Sequence, residues 1–449
     1  MEDRPLHPIV TVSRRGAERL RAGHDWIYRS DVIDASNVPP GSLVTVRAGA
    51  DKSVRATHIL GSAFYSTASE IAIRMISAKP VDDVHQLLRE RIRAAIAYRE
   101  RFVRDTNAYR VVFSEGDFLP GLIVDRYNDV ISFQVLTQAM DSTAMRETFL
   151  SELRSALSPA AIVERVDARV RKLEQLPERR TAVVWSSSHR NAIPSTESKR
   201  KDEEPAAPSQ EAGSPALTGP GMTGEEQGQP PIEETGKPVT TEFHMNGVRF
   251  LFDALAGQKT GAFLDQRENY AAAAQYARGE ALDVFCYQGG FALHLGPACD
   301  QVTGVDSSRP ALESAEQNAK LNGREVEWIE ANAFDLLRDY SDAGRQYDTV
   351  VLDPPAFAKS RRDAPAALRA YKELNLRALK MLRPGGILVT CSCSYHVSAS
   401  DLLEVVGAAG LDSHRNLRVL ENRGQAKDHP NILGIPETAY LKCLIVLSS

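Results

Sequence analysis

The sequence is short of cysteine: five in 449 residues (Cys286, Cys299, Cys391, Cys393 and Cys443), all in the second half. Their spacing matches neither a disulfide framework nor a set of zinc ligands, so no metal site is expected. Long apolar runs are missing too. No stretch approaches the roughly 18–20 apolar residues of a membrane helix, and the opening MEDRPLHPIV lacks the basic and apolar regions of a signal peptide. Both absences predict a cytoplasmic protein with no membrane partner. Positive charge is not in excess: 54 Lys and Arg stand against 59 Asp and Glu, for a net charge of −5. That is unlike a general nucleic-acid coat protein, whose affinity for phosphate comes from Lys and Arg. Aromatic residues are absent between Trp185 and Phe243, in a segment dense in Pro, Gly, Ser and Glu. This is the composition of a disordered linker or insertion, read here as residues 186–240. It carries five basic and nine acidic residues, so the rest of the chain is only −1.

Length and an ordinary apolar content predict roughly two to four globular domains. Residues 1–80 read as short alternating strands (PPGSLVTVRA, SVRATHIL, EIAIRMIS), a small β-rich module of net charge +3. There Arg14, Arg15, Arg19, Arg21 and Arg29 lie beside His24, Trp26 and Tyr28, a mixture able to grip a sugar-phosphate backbone and stack on bases. An ordinary small barrel with a solvated face accounts for them equally. Residues 81–185 open on an Arg-rich helical pattern, VHQLLRERIRAAIAYRERFV. Strands then flank a turn at Pro120 and Gly121 and a hairpin at Tyr127 to Asp129, giving an α+β middle domain with no visible chemistry.

From residue 241 onward, apolar runs (ALDVFCY, QVTGVD, VEWIEA, YDTVVLD, GILVTCS) alternate with helical patterns. Buried parallel strands joined by helices predict a doubly wound α/β sheet, whose ligand lies beyond the C-terminal ends of the strands. The first run starts its exit at Asp283 and reaches Gly289-Gly290, where the backbone can approach a ligand and a helix N-terminus offers amides to an anion; a Gly-Gly turn can equally be structural. Asp306 ends the second run 23 residues after Asp283, a spacing at which an acid commonly accepts hydrogen bonds from a ribose. Asn332 ends the third, placed to read an adenine edge or to cap a helix. Asp353 ends the fourth and is followed by Pro354 and Pro355, a stiff loop suited to gripping a planar base. The fifth runs into Cys391-Ser392-Cys393-Ser394, two thiols that are either buried structural cysteines or, in a ligand-facing loop, nucleophiles.

Asp353 to Phe357 (Asp-Pro-Pro-x-Phe), Ser392 to Ser394 (Ser-Cys-Ser) and GQKTGAFLDQRENY (Gly257 to Tyr270) occur together with Phe285 to Phe291, YKELNLRALKMLRPGG and DHP at Asp428 to Pro430. With GSAFYSTASEIAIRMIS and LPGLIVDRY upstream, the chain resembles the bacterial large-subunit rRNA cytosine-5 methyltransferases along nearly its whole length outside 186–240. The resemblance implies a PUA-like RNA-binding barrel (1–80), an α+β middle domain (81–185) and a class I S-adenosylmethionine-dependent methyltransferase domain (241–449) with a Rossmann-like sheet. It implies Cys393 as nucleophile, Cys391 being an added thiol, and Asp353 as its catalytic companion. Cofactor binding would fall to Gln266, Asp283, Tyr287, Gly289, Gly290, Asp306, Ser307, Asn332 and Asp353. Asn332 stands where many relatives carry Asp, and Pro355 occupies the place of the strand-four cysteine that other cytosine-5 methyltransferases use. RNA binding would fall to Arg14, Arg15, Arg19, Arg21, Trp26 and Lys259. The implied partner is ribosomal RNA, in a monomer or a homodimer. Competing readings are a guanine N-methyltransferase on the same fold, disfavoured by Asp353 and Phe357, a noncatalytic RNA-binding factor, and a small-molecule methyltransferase.

Overall fold

The computed structural model describes residues 7–49, 58–187, 239–255, 262–358 and 360–449; Lys259 and nearly all of the 186–240 segment lie outside the described residues. Strands β1 (Ile9–Val12), β2 (Trp26–Tyr28), β3 (Val32–Asp34), β4 (Leu43–Ala48), β5 (Ile59–Tyr65) and β6 (Ile71–Ser77) form one sheet in the order β2-β6-β5-β4-β1-β3. Alternation sends Val10, Val12, Ile27, Val44, Val46 and Ile73 into a fully buried core. The Arg-rich run is a helix inside this strand-rich module: α1 (Arg14–Arg21) is capped by Ser13, whose Oγ accepts from the Gly16 amide and donates to Asp31.

The helical pattern after residue 81 is α2 (Val84–Phe102), capped by Asp83, with Leu88, Ile92, Ala95 and Ile96 on its buried face. It covers a sheet ordered β11-β10-β9-β8-β7, built from β7 (Ala108–Phe113), β8 (Leu122–Tyr127), β9 (Val130–Val135), β10 (Ala161–Glu164) and β11 (Ala182–Ser186). Helices α3 (Thr143–Leu157) and α4 (Ala168–Leu173) fill the connections. Asn128, at φ 53°, makes the β8–β9 hairpin turn at the place the sequence predicts.

A hairpin of β12 (Thr240–Met245) and β13 (Val248–Asp253), turning at Asn246 and Gly247, leads into the last unit. There the chain runs α5 (Arg267–Tyr276), β14 (Glu280–Val284), α6 (Gly290–Leu295), β15 (Gln301–Asp306), α7 (Arg309–Leu321), β16 (Glu327–Glu330) and α8 (Ala333–Asp342). It continues through β17 (Tyr347–Leu352), α9 (Ala364–Met381), β18 (Leu382–Ser392), α10 (Ala399–Asp412), β19 (Leu417–Arg423) and β20 (Lys442–Ser448). The sheet order is β16-β15-β14-β17-β18-β20-β19; β14 to β18 are parallel, and β20 inserts antiparallel between β18 and β19. Strand order reverses between β14 and β17, so a crevice opens at the C-terminal ends of those two strands.

Candidate active site

The crevice is lined by Met245, Phe250, Ala262, Phe263, Tyr270, Phe285, Cys286, Tyr287, Gln288, Gly290, Phe291 and Asp353. Its floor is the turn after β14, where Phe285 (φ 69°), Tyr287 (φ 49°) and Gly289 (φ 83°) are left-handed. Side-chain-bearing residues in that region cost about 1–2 kcal/mol each, and such strain persists only where the surroundings over-determine it. Here the Phe285 and Cys286 amides both donate to Val305 O, and the Tyr287 amide donates to Asp306 Oδ2 at 2.9 Å. The second oxygen, Asp306 Oδ1, accepts from the Ser308 amide at 2.9 Å. Asp306 is thereby oriented at the end of β15, half-buried at the rim, with exposed Ser307 beside it.

Gly289 and Gly290 are required by close packing. A Cβ on Gly289 would lie 2.9 Å from the Trp328 ring, and one on Gly290 would lie 2.5 Å from the Tyr270 hydroxyl. Asp283, fully buried at the end of β14, accepts from the Ala292 amide at 2.8 Å through Oδ2, while its Oδ1 has no hydrogen-bond partner. Burial, only partly offset by that amide, pushes its carboxyl up to about 7. Gln266, at the end of a short 3-10 turn (Leu264–Gln266), is also buried and leaves Nε2 unpartnered, its Oε1 accepting from Asn269 at 2.7 Å. Asp283 Oδ1 is thus an orphaned buried acceptor behind the β14 turn, and Gln266 is the amide that acts on both Asp353 and Cys391.

Asp353 opens the Pro-Pro loop after β17 and faces the crevice, partly exposed at its mouth and otherwise enclosed by protein. Burial first, then the carboxylates of Asp265 and Asp283, push it up to about 8; Gln266 beside it acts in the opposite sense. Cys393 follows the end of β18, partly exposed between fully buried Ser392 and Ser394, with its Sγ 3.9 Å from Pro354 O. Cys391 differs from it. It is fully buried, cross-strand from Cys443, and burial together with Cys443 drives its thiol well above the ordinary range. A thiol so held stays protonated and inert, which separates the two cysteines of the pair.

Of the residues expected to hold a cofactor, Tyr287, Gly290 and Asp353 line the crevice; Gln266 and Asp283 act on the Asp353 carboxyl, Gly289 belongs to the same β14 turn, Asp306 accepts from the Tyr287 amide, and Cys393 lies beside the Asp353 loop. Asn332 is the N-cap of α8, its Oδ1 accepting from the Phe334 and Asp335 amides, and it is not among the residues lining the crevice. Among the arginines, Arg14 pairs with Glu18 at 2.8 Å and Arg15 with buried Asp31 at 2.8 Å. Arg19 lies 4.6 Å over the Tyr28 ring. Arg29 donates to the Ser66 and Ser69 carbonyls and so holds a turn together. Trp26 is half-buried with its indole N–H unpartnered. Sequence reasoning passes over Lys442, whose Nζ reaches the Ser394 carbonyl at 2.6 Å; a lone charge in the apolar run LKCLIVL is the signal that marks it.

Among the described residues no helix is long and apolar enough to cross a membrane. The chain matches the S-adenosylmethionine-dependent methyltransferase family profile over residues 233–445 and the PUA-like domain profile over residues 10–78. Its fold is shared by a solved methyltransferase complexed with SAH, at TM-score 0.73, 17% identity and coverage of 98% of this chain and 99% of the other. It is 34% identical over 438 residues to the ribosomal RNA large subunit methyltransferase I of Photobacterium profundum, covering 95% of this chain and 96% of that protein. The protein of the same name from Aeromonas hydrophila is 33% identical over 448 residues, with 98% of each chain covered. Along nearly its full length, then, this chain belongs to the ribosomal RNA large subunit methyltransferase I family, S-adenosylmethionine-dependent methyltransferases with a PUA-like domain at the N-terminal end.

Proposed function

We propose that the protein methylates C5 of a cytosine in large-subunit ribosomal RNA through a covalent adduct with Cys393. The observation that carries this reading is the placement of a partly exposed thiol, Cys393, against the backbone of the Asp353 loop at the mouth of the crevice. A guanine amino group needs no thiol, whereas cytosine C5 is too weak a nucleophile until a thiolate has added at C6.

In this reading Asp306 accepts from ribose hydroxyls, and Asp283, Gln266, Tyr287 and the Gly289-Gly290 turn hold the remainder of S-adenosylmethionine; Ser307 and Asn332 border them. The bound cofactor supplies an electrophilic methyl group. The Cys393 thiolate forms the C–S bond to C6 while Asp353, neutral at pH 7 because its carboxyl is pushed up to about 8, donates to N3 and offsets the negative charge developing on the ring. After C5 is methylated, loss of its proton to a base and cleavage of the C–S bond release 5-methylcytosine and the thiolate. A base locked inside a helix must first swing out of the stack.

The division into 1–80, 81–185, 186–240 and 241–449 assigns RNA capture to the first unit, through Arg19, Arg21, Trp26 and the flanking Arg14 and Arg15, with Lys259 of the last unit as a further RNA contact. The packing of that unit supports this. Gly434 fits against Gly23 so closely that a Cβ would lie 2.0 Å from the Gly23 carbonyl, and His24 Nε2 lies 3.2 Å from Glu437 Oε2. Glu437 and Tyr28 both act on the hydroxyl of Tyr395, two residues after Cys393, so the Arg19–Tyr28 face borders the thiol's entrance. The test is Cys393→Ser with purified components. The variant is expected to bind S-adenosylmethionine as the parent does and to lose at least about 1,000-fold in methyl transfer, the order of effect seen when a nucleophile is removed. Undiminished transfer would refute the covalent route.

A further inference from the structure

Ser394, the residue after the proposed nucleophile, is fully buried and held from several sides. Its Oγ contacts the Tyr371 hydroxyl at 3.0 Å and accepts from the Ala358 amide at 3.3 Å. Its carbonyl accepts from Lys442 Nζ at 2.6 Å, and the same ammonium donates to Tyr440 O at 2.9 Å. Lys442 opens β20 opposite Ser392 in the antiparallel ladder, which sets it beside the Ser392–Cys393–Ser394 turn. It is 8% exposed, and among the described residues no carboxylate lies within ion-pair distance of it. Two carbonyls do not require a full charge, and an ammonium buried without a counter-charge is costly.

Among the described residues, the groups that act on this region include Lys442 from β20, Tyr371 from α9, Asp401 from the start of α10, Asp353 from the end of β17, and, through Tyr395, Glu437, Tyr28 and Arg361. Asp401 is engaged in a capping box with Ser398. Tyr371 is neutral, since burial raises its hydroxyl above the ordinary range. The anion that would complement Lys442 is the Cys393 thiolate. We propose that Lys442 is a positioning residue for Cys393, fixing the turn through the Ser394 carbonyl and stabilising the thiolate with its charge. This rests on Cys393 being the nucleophile.

The coupling is mutual. Burial pulls the Lys442 ammonium down to about 8, and the negative charge of Cys393, then of Asp401, works against that pull. What Cys393 does for the ammonium, the ammonium does for the thiolate.

The test is the pH dependence of Cys393 alkylation by iodoacetamide in the full-length protein, read at Cys393 by fragment mass spectrometry. Lys442→Gln is expected to raise the apparent pKa of Cys393 by about one unit, slowing alkylation at pH 7 about tenfold, and Lys442→Arg to restore most of the rate because it keeps the charge. An unchanged profile in Lys442→Gln, or an Arg variant no faster than the Gln variant, would overturn the proposal. If Lys442→Gln does not fold, the reciprocal measurement uses Cys393→Ser, a small change at a partly exposed site. NMR titration of 13Cε-labelled lysine should then show a lower Lys442 pKa than in the parent, and an equal value would refute the coupling. Failure of the nucleophile assignment is a different result: methyl transfer retained in Cys393→Ser, whatever the thiol's pKa.

Discussion

Asp353 and Asp283 are acids that the fold keeps protonated near neutral pH, at about 8 and about 7. In the unfolded chain both ionise near 3.9. At these two acids the folded protein therefore holds protons between about pH 4 and 8 that the unfolded chain has lost, so they lower stability as pH rises; buried His294, pulled down to about 4, opposes them only up to about pH 6.5. The slope is at most about 1.4 kcal/mol per pH unit for each carboxyl, and less for Asp353 because of its partial exposure. Asp428 has the opposite sign. Burial alone would raise its pKa, but His429, Arg267 and the Arg110 amide outweigh burial and hold it well below the ordinary range, so its contribution is lost only as the pH falls below about 4. Urea midpoints of the cofactor-free protein are thus expected to drop from pH 5 to pH 7.5, and Asp353→Asn should flatten the drop. A midpoint that rises over that interval in the parent would contradict the protonated Asp353 on which the ring-neutralising step depends.

At the scale of elements, the crevice depends on how β15 and β16 pack under the β14 turn. A Cβ on Gly304, in the middle of β15, would lie 2.3 Å from the Trp328 ring, and that ring also lies under Gly289. Gly304→Ala must therefore push Trp328 toward the strained turn. The expected outcome is a loss of about 1–3 kcal/mol in stability and weaker S-adenosylmethionine binding by calorimetry, both largely recovered when Trp328→Ala is added. Independent, additive effects would show that Trp328 does not link the two glycines.

Four of the five parallel strands and their polar ends are readable because each is an apolar run closed by a small or acidic residue, as at Asp306 and Asp353; β16 has only Trp328 and Ile329 between two exposed glutamates. The β12–β13 hairpin is marked in the sequence by Asn246-Gly247, a standard two-residue turn signal. Helix α1 was hidden because Arg14 to Arg21 contains little but charge, and its helicity comes from the Ser13 cap and the packing of Gly16 and Ala17. Asn332 reads as a ligand or a cap, and its Oδ1 caps α8, a role that leaves Nδ2 out of the cap. Lys442 acquires its place only when β20 inserts between β18 and β19, a pairing of distant segments that local pattern does not encode.

For the whole molecule, the middle unit and the methyltransferase unit are joined at Asp428. Its Oδ1 accepts from Arg267 at 3.2 Å and its Oδ2 from the Arg110 amide at 2.9 Å, while its carbonyl accepts from fully buried Arg99 at 2.7 Å. Removing one partner of such a buried pair leaves a charge uncompensated, so Asp428→Ala should cost about 3–5 kcal/mol. Calorimetry is expected to show the units melting separately in that variant, where the parent melts in one step; a single unshifted transition would refute the joint. Charge follows the same division. The first 80 residues are +3 and the 186–240 segment is −4, so the mild acidity of the whole chain conceals a basic first unit, whose His24 lies against Glu437 and whose Tyr28 acts on Tyr395.

The central claim, a Cys393-dependent cytosine-5 methylation of large-subunit ribosomal RNA, is tested most directly by bisulfite sequencing. Ribosomal RNA from the parent strain would be compared with that from a deletion strain, both alone and carrying either the intact gene or the Cys393→Ser form. The account predicts one cytosine protected from conversion in the parent and in the strain complemented with the intact gene, and unprotected in the deletion strain and with Cys393→Ser. Identical protection in all four samples, or protection restored by Cys393→Ser, would contradict it.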